Sequence, residues 1–135
     1  MLKLIVGLKG SGKTKTLIEL ANGSLEKTNG SVVCIEKGTK LIHEIKHQVR
    51  LMDTEEYGVD DARSLYGFVA GIYASNHDVT DMFIDSALKI CNNNIDDFDN
   101  FIKCVAAFSE KSGINFVITS SIKAEDVPAD ICKYI

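Results

Sequence analysis

Short apolar runs rich in branched residues recur along this chain, and the stretches between them carry apolar residues at helical spacing. Leu2-Lys3-Leu4-Ile5-Val6 predicts a buried strand. Lys13 to Ala21 predicts a helix with Leu17, Ile18 and Ala21 on one face, stopped by Asn22-Gly23. Ser31 to Ile35 predicts a second strand entered through the turn Asn29-Gly30. Thr39 to Lys46 has room for one or two helical turns, and Val49 to Met52 reads as a third strand ended by Asp53-Thr54. Asp60-Asp61 marks a helix start ahead of Leu65, Phe68, Val69, Ile72 and Tyr73. Gly67 and Gly71 lower the propensity of that helix and leave space for another backbone to pack closely. Met82-Phe83-Ile84 is a short strand ending at Asp85. A long helix spans Asp96 to Ser112, its apolar face formed by Phe98, Phe101, Ile102, Val105 and Phe108, with Gly113 suited to its C-terminal cap. Ile114 to Thr119 is a further buried strand, and Cys132 to Ile135 reads as a last short one. Strands alternating with helices predict an α/β fold of one domain over residues 1–135, a three-layer sandwich with a mostly parallel sheet of about five strands and helices on both faces.

The first strand leads directly into Gly7-Leu8-Lys9-Gly10-Ser11-Gly12-Lys13-Thr14. This is G-x-x-x-x-G-K-[ST], the Walker A or P-loop pattern, in its required setting of strand, glycine-rich turn and helix. Main-chain amides of such a turn point inward at a phosphate, and the following helix aims its positive dipole end at the same anion. Gly10 and Gly12 let the backbone approach a ligand without a Cβ in the way. Residues 7–15 (Gly7, Leu8, Lys9, Gly10, Ser11, Gly12, Lys13, Thr14 and Lys15) are the expected nucleotide-binding segment. Lys13 places a positive charge near the β- and γ-phosphates and Thr14 a hydroxyl at Mg²⁺. On these residues the chain resembles the P-loop NTPase superfamily, over about its first 22 positions.

Composition narrows the partners. The chain of 135 residues is 45% hydrophobic and 25% charged, with a net charge of −4. Arg50 and Arg63 are the only arginines, and no basic stripe marks a nucleic-acid surface. No apolar run reaches membrane-spanning length, and the opening apolar stretch is too short for a signal peptide. Cys34, Cys91, Cys104 and Cys132 are widely spaced with no C-x-x-C pair. They read as reduced, mostly buried thiols of a cytoplasmic protein.

A P-loop alone binds phosphate; hydrolysis or transfer requires a carboxylate on the metal side. Asp85, at the end of an apolar strand, fits the Walker B role, holding Mg²⁺ together with Thr14. Asp81 is the alternative, at the start of the same strand. Many P-loop ATPases carry a glutamate directly after the Walker B aspartate, and here that position is Ser86. Glu36 ends the second strand, where the resemblance to RecA-like members of the superfamily implies a catalytic glutamate; a solvated strand-end charge is the plainer reading. Thr119, Ser120 and Ser121, at the end of the strand Phe116-Val117-Ile118, are candidates for the polar γ-phosphate sensor that the resemblance implies. Neither the GTPase base signature nor a D-x-x-G after Asp85 is present, so ATP is the expected nucleotide. The chain has no arginine-bearing lid, which weakens a small-molecule kinase without removing it. An arginine from a protein partner or a second copy is compatible with the motif.

His43-Glu44-Ile45-Lys46-His47 spells H-E-x-x-H, a zinc-protease pattern when it lies on a helix. The segment is too short for such a helix and runs at once into the expected third strand. It reads as a solvated polar turn.

The whole chain also resembles short bacterial P-loop proteins labelled twitching-motility ATPase-like. Motor ATPases under that label are much larger and carry further acidic and histidine boxes, so the resemblance implies an ATP-binding protein. The expected function is Mg²⁺-dependent ATP binding with slow or partner-stimulated hydrolysis, in which Lys13 and Glu36 are the catalytic residues. A small-molecule kinase and a non-hydrolysing nucleotide-binding regulator are the alternatives.

Overall fold

A computed structural model describes residues 1–135. The strands are β1 (Leu2–Gly7), β2 (Ser31–Glu36), β3 (Arg50–Asp53), β4 (Val79–Ile84) and β5 (Asn115–Ser121). The helices are α1 (Lys13–Ser24), α2 (Ala62–Ser75), α3 (Ala87–Ile90) and α4 (Ile95–Ser112), followed by two 3₁₀ segments, Ala124–Asp126 and Ala129–Tyr134. The strands form one five-stranded sheet in the order β1-β5-β4-β2-β3. Every neighbouring pair is parallel. The fold is therefore α/β, with a parallel sheet between helical layers.

Alternation along the strands divides the core. Val33, Ile35, Met82, Ile84, Phe116 and Ile118 face α2, α3 and α4 in one apolar cluster. Val32, Cys34, Phe83 and Val117 point the other way, onto Leu17 and Ala21 of α1 and onto Leu41, Ile45 and Val49. Strands buried on both faces read as continuous apolar runs, which is the pattern of β2 and β5. The path explains the layering. From β1 to β2 to β3 the chain crosses the sheet in one direction, with α1 and residues 37–49 over one face. It returns through β4 to β5 with α2, α3 and α4 over the other. Crossovers of one hand demand opposite faces for opposite directions of travel.

Several local expectations are corrected. The expected final strand at Cys132–Ile135 is instead 3₁₀ structure, in which Ile131 is the one residue of Ala129–Tyr134 buried completely. Thr39–Lys46 forms linked turns rather than a continuous helix; a single helical turn closes where the Ile45 amide donates to the Leu41 carbonyl at 3.0 Å, and both side chains are buried under the sheet. Asn22-Gly23 lies inside α1, which continues to Ser24. β4 begins at Val79, before the expected Met82, and an unexpected single-turn helix, α3, follows it. Space beside Gly67 and Gly71 is open: a Cβ at either position meets nothing within 4 Å. Of the four free cysteines, Cys34 and Cys91 are buried, whereas Cys104 and Cys132 are exposed.

Candidate nucleotide site

Because all strands are parallel, their carboxyl ends share one edge of the sheet. Gly7, Ser121, Asp85, Glu36 and Asp53 end or follow β1, β5, β4, β2 and β3 in spatial order along that edge, and Thr119 lies within β5, one residue past the Ile84–Ile118 pair. The β1–α1 turn lies at one end of this row and the acidic residues at the other.

The turn is shaped by backbone conformation. Gly12 has φ +86, a left-handed value that costs an L-residue about 1–2 kcal/mol. At Gly7, an added Cβ would lie 2.6 Å from Ser11 Oγ, so only glycine leaves the loop its tight path. Within residues 8–12 the only amide that donates to another protein group is that of Ser11, to the Leu8 carbonyl at 3.2 Å. The first intrahelical bond of α1 comes from the Thr16 amide to the Gly12 carbonyl at 3.1 Å, which leaves the amides of Lys13, Thr14 and Lys15 without intrahelical acceptors.

No side chain caps α1, and no acidic residue sits in its first turn. The other long helices are finished in the ordinary way. Asp61 caps α2 in a reciprocal box with Ser64, whose hydrogen bonds hold the Asp61 carboxyl below its usual range. Asn94 caps α4, and Asp96 and Asp97 occupy its first turn. α1 alone places lysines, Lys13 and Lys15, at the positive end of its dipole. Lys13 is buried to 9% exposure, and its ammonium donates to the Leu8 carbonyl at 2.9 Å and to Ser11 Oγ at 3.4 Å. It makes no ion pair.

Across β5 stands the acidic half. Asp85 Oδ1 accepts from Thr14 Oγ1 at 3.2 Å and from Thr119 Oγ1 at 2.8 Å. Thr119 Oγ1 in turn accepts the Ser86 amide at 2.8 Å. Ser86 holds a left-handed conformation, φ 57 and ψ 48, which aims that amide back at β5. A hydroxyl and a carboxylate oxygen from sequence-distant elements thus meet at one point, and both are hard oxygen donors of the kind Mg²⁺ takes. Asp85 is 9% exposed and has no cationic partner. Asp81 lies opposite Asn115 at the amino end of β5, so it is on the wrong edge for the site.

Glu36 is 3% exposed, and the Asp85 amide bonds to the carbonyl of its neighbour Ile35 at 2.9 Å. Its Oε1 accepts the Lys40 amide at 3.2 Å and its Oε2 the Leu41 amide at 3.0 Å. The side chain therefore ties down the turn after β2, and one lone pair on each oxygen remains. Burial raises its pKa, with Asp85 and Asp53 adding to the rise, while the Leu41 and Lys40 amides oppose it. Burial pushes the Cys34 thiol up to about 12, with the charges of Asp85 and Glu36 adding to the effect. Asp53 completes the row; its Oδ1 accepts the amides of Gly38 at 2.7 Å and Glu55 at 2.9 Å. Asp53, expected only as a strand stop, repeats the pattern of apolar run then acid seen at Glu36 and Asp85.

The remaining candidates separate. Thr119 reaches Asp85. Ser120 is buried and serves α3, accepting the Leu88 amide at 3.3 Å. Ser121 is exposed at the end of β5. His43 and His47 lie on exposed turns and not on a shared helix face. Arg50 opens β3 and so lies at the amino edge, while Arg63 lies in the first turn of α2. No helix is long and apolar enough to cross a membrane. No protein-family model matches the chain, and no curated protein matches it.

Proposed function

We propose that the protein binds ATP with Mg²⁺ at the β1–α1 turn and hydrolyses it slowly or on stimulation by a partner. The single observation that carries this reading is the separation of uncompensated charge at the sheet edge. Lys13 and an uncapped helix end stand on one side, and Asp85 and Glu36 on the other. A buried charge without a counter-charge is costly, so each half is stabilised by a ligand that carries the opposite sign. A magnesium triphosphate carries both signs: anionic oxygens for the amides of residues 8–15 and Lys13, a cation for Thr14 and Asp85.

In this reading Gly7, Gly10, Ser11 and Gly12 shape the phosphate cradle, and Lys13 neutralises charge on the β- and γ-phosphates. Mg²⁺, held by Thr14 and Asp85, supplies charge neutralisation at the phosphate oxygens. Glu36 orients the attacking water through its remaining lone pairs. The water oxygen attacks the γ-phosphorus, the bond from that phosphorus to the β–γ bridging oxygen breaks, ADP departs with the electron pair, and the proton lost by the water passes through Glu36 to solvent. Thr119 holds Asp85 in register as a positioning residue.

A second reading, a regulator that binds without turnover, is favoured by the tethering of both Glu36 oxygens and by Ser86 in the position after Asp85. Phosphate release measured with purified protein and Mg²⁺ATP separates the two. Steady release that Glu36→Gln slows at least tenfold supports the ATPase. Tight binding with no release supports the regulator. ADP formed only with an added acceptor, without free phosphate, identifies a kinase.

A further inference from the structure

On the layer opposite α1, a groove runs between α2 and α4. It comprises adjoining cavities of about 320 and 620 Å³ that share Tyr66 and Cys104. Its wall is aromatic: Phe108 meets Tyr66 and Tyr73 edge-on, with ring centroids 6.2 and 5.6 Å apart. Along the α4 side, Asp97 lies at one end, Cys104 in the middle and Lys111 at the other, all exposed. These three follow at intervals of seven residues, two helical turns, and therefore share a face. Neither Asp97 nor Lys111 forms an ion pair within the chain.

We propose that this face pairs with the same face of a second copy, with the two α4 helices antiparallel and a two-fold axis beside Cys104. Charge complementarity selects this pairing. That axis brings Asp97 of each copy against Lys111 of the other, so two opposite-charge contacts form about 21 Å apart along the helix. Parallel pairing would set Asp97 on Asp97 and Lys111 on Lys111. Cys104 and Ala107 are small, so the helix axes can approach closely at the centre while Tyr66 and Tyr73 lose their remaining exposure. The contact is isologous, which closes the assembly at a dimer. The nucleotide reading plays no part in it.

Sedimentation equilibrium on the full chain tests it. A reversible dimer is expected. Asp97→Lys and Lys111→Asp each weaken association about tenfold or more, by setting like charges opposite one another twice. The double variant Asp97→Lys/Lys111→Asp restores association, because both signs invert together. Independently of those variants, a short thiol-to-thiol linker on Cys132→Ser protein joins two chains through Cys104. A monomer at every concentration overturns the proposal. So does a dimer that ignores both single reversals, a double variant as weak as the singles, or a groove that only a protein of different sequence fills.

Discussion

At the scale of single residues, the site turns on which polar atoms have partners within the chain. Asp85 Oδ1 takes hydroxyl hydrogen bonds from Thr14 and Thr119. An asparagine carbonyl can accept both, so Asp85→Asn keeps its fold, with a stability change within about 1 kcal/mol by thermal denaturation. It loses the charge, and ATP affinity in the variant no longer depends on added Mg²⁺. Glu36 makes a different prediction. Its pKa is raised in the native state, so the folded protein holds the proton more tightly than the unfolded chain does. The stability this contributes is complete below the unfolded carboxyl's titration and is lost as pH rises through the native pKa. Glu36→Gln carries no such titration. Wild type therefore loses stability relative to the variant as pH rises from about 4 to neutrality, measured by denaturant unfolding across that range. Lys13, Thr14, Asp85 and Glu36 were all legible as candidates, because a motif or a strand end marks each. The amides that fasten both Glu36 oxygens were not, since they come from a turn whose path depends on tertiary packing.

At the scale of elements, the three long helices differ at their N-termini. α2 and α4 carry capping side chains, and α1 carries lysines. This contrast predicts opposite effects of one substitution. Lys15→Glu puts an anion at the uncapped end of α1, stabilises the ligand-free protein by roughly 0.5 kcal/mol, and weakens ATP binding. Denaturant unfolding and a binding titration on the same sample read both signs. The start of α2 was legible from Asp60-Asp61, and Gly113 closes α4 in the left-handed conformation expected of it; α4 begins at Ile95, one residue before the expected Asp96, on the cap Asn94. Residues 39–46 hold one helical turn, from the Ile45 amide to the Leu41 carbonyl, and do not extend it into a helix. Their turns are also held by Glu36 and by Asn22, which donates to the Glu44 carbonyl at 2.9 Å and accepts the Lys46 amide at 2.9 Å. Cys132–Ile135 misled because its apolar content resembles a strand, whereas the 3₁₀ segment Ala129–Tyr134 meets the core through buried Ile131 and half-buried Tyr134.

At the scale of the molecule, strand order decides what can meet. Placing β5 between β1 and β4 sets Thr119 beside Asp85, which Thr14 of the β1–α1 turn also reaches, and parallel pairing throughout keeps every strand-end residue on one edge. A single sequence gives the number and kind of strands through periodicity. It does not give their lateral order, which is settled by long-range packing of faces that look alike in sequence. With Mg²⁺ATP at a hundred times its dissociation constant, the folded state gains about 2.7 kcal/mol, so the melting temperature rises with ligand concentration. In Lys13→Ala this rise is largely lost. The central claim is that main-chain amides and Lys13 grip a triphosphate where β1 gives way to α1, and isothermal titration calorimetry tests it most directly. Saturable heat for ATP with one site per chain is expected in millimolar Mg²⁺, with affinity weakened roughly 10–100-fold in Lys13→Ala. No heat for either ATP or GTP, or binding that Lys13→Ala leaves unchanged, would contradict it.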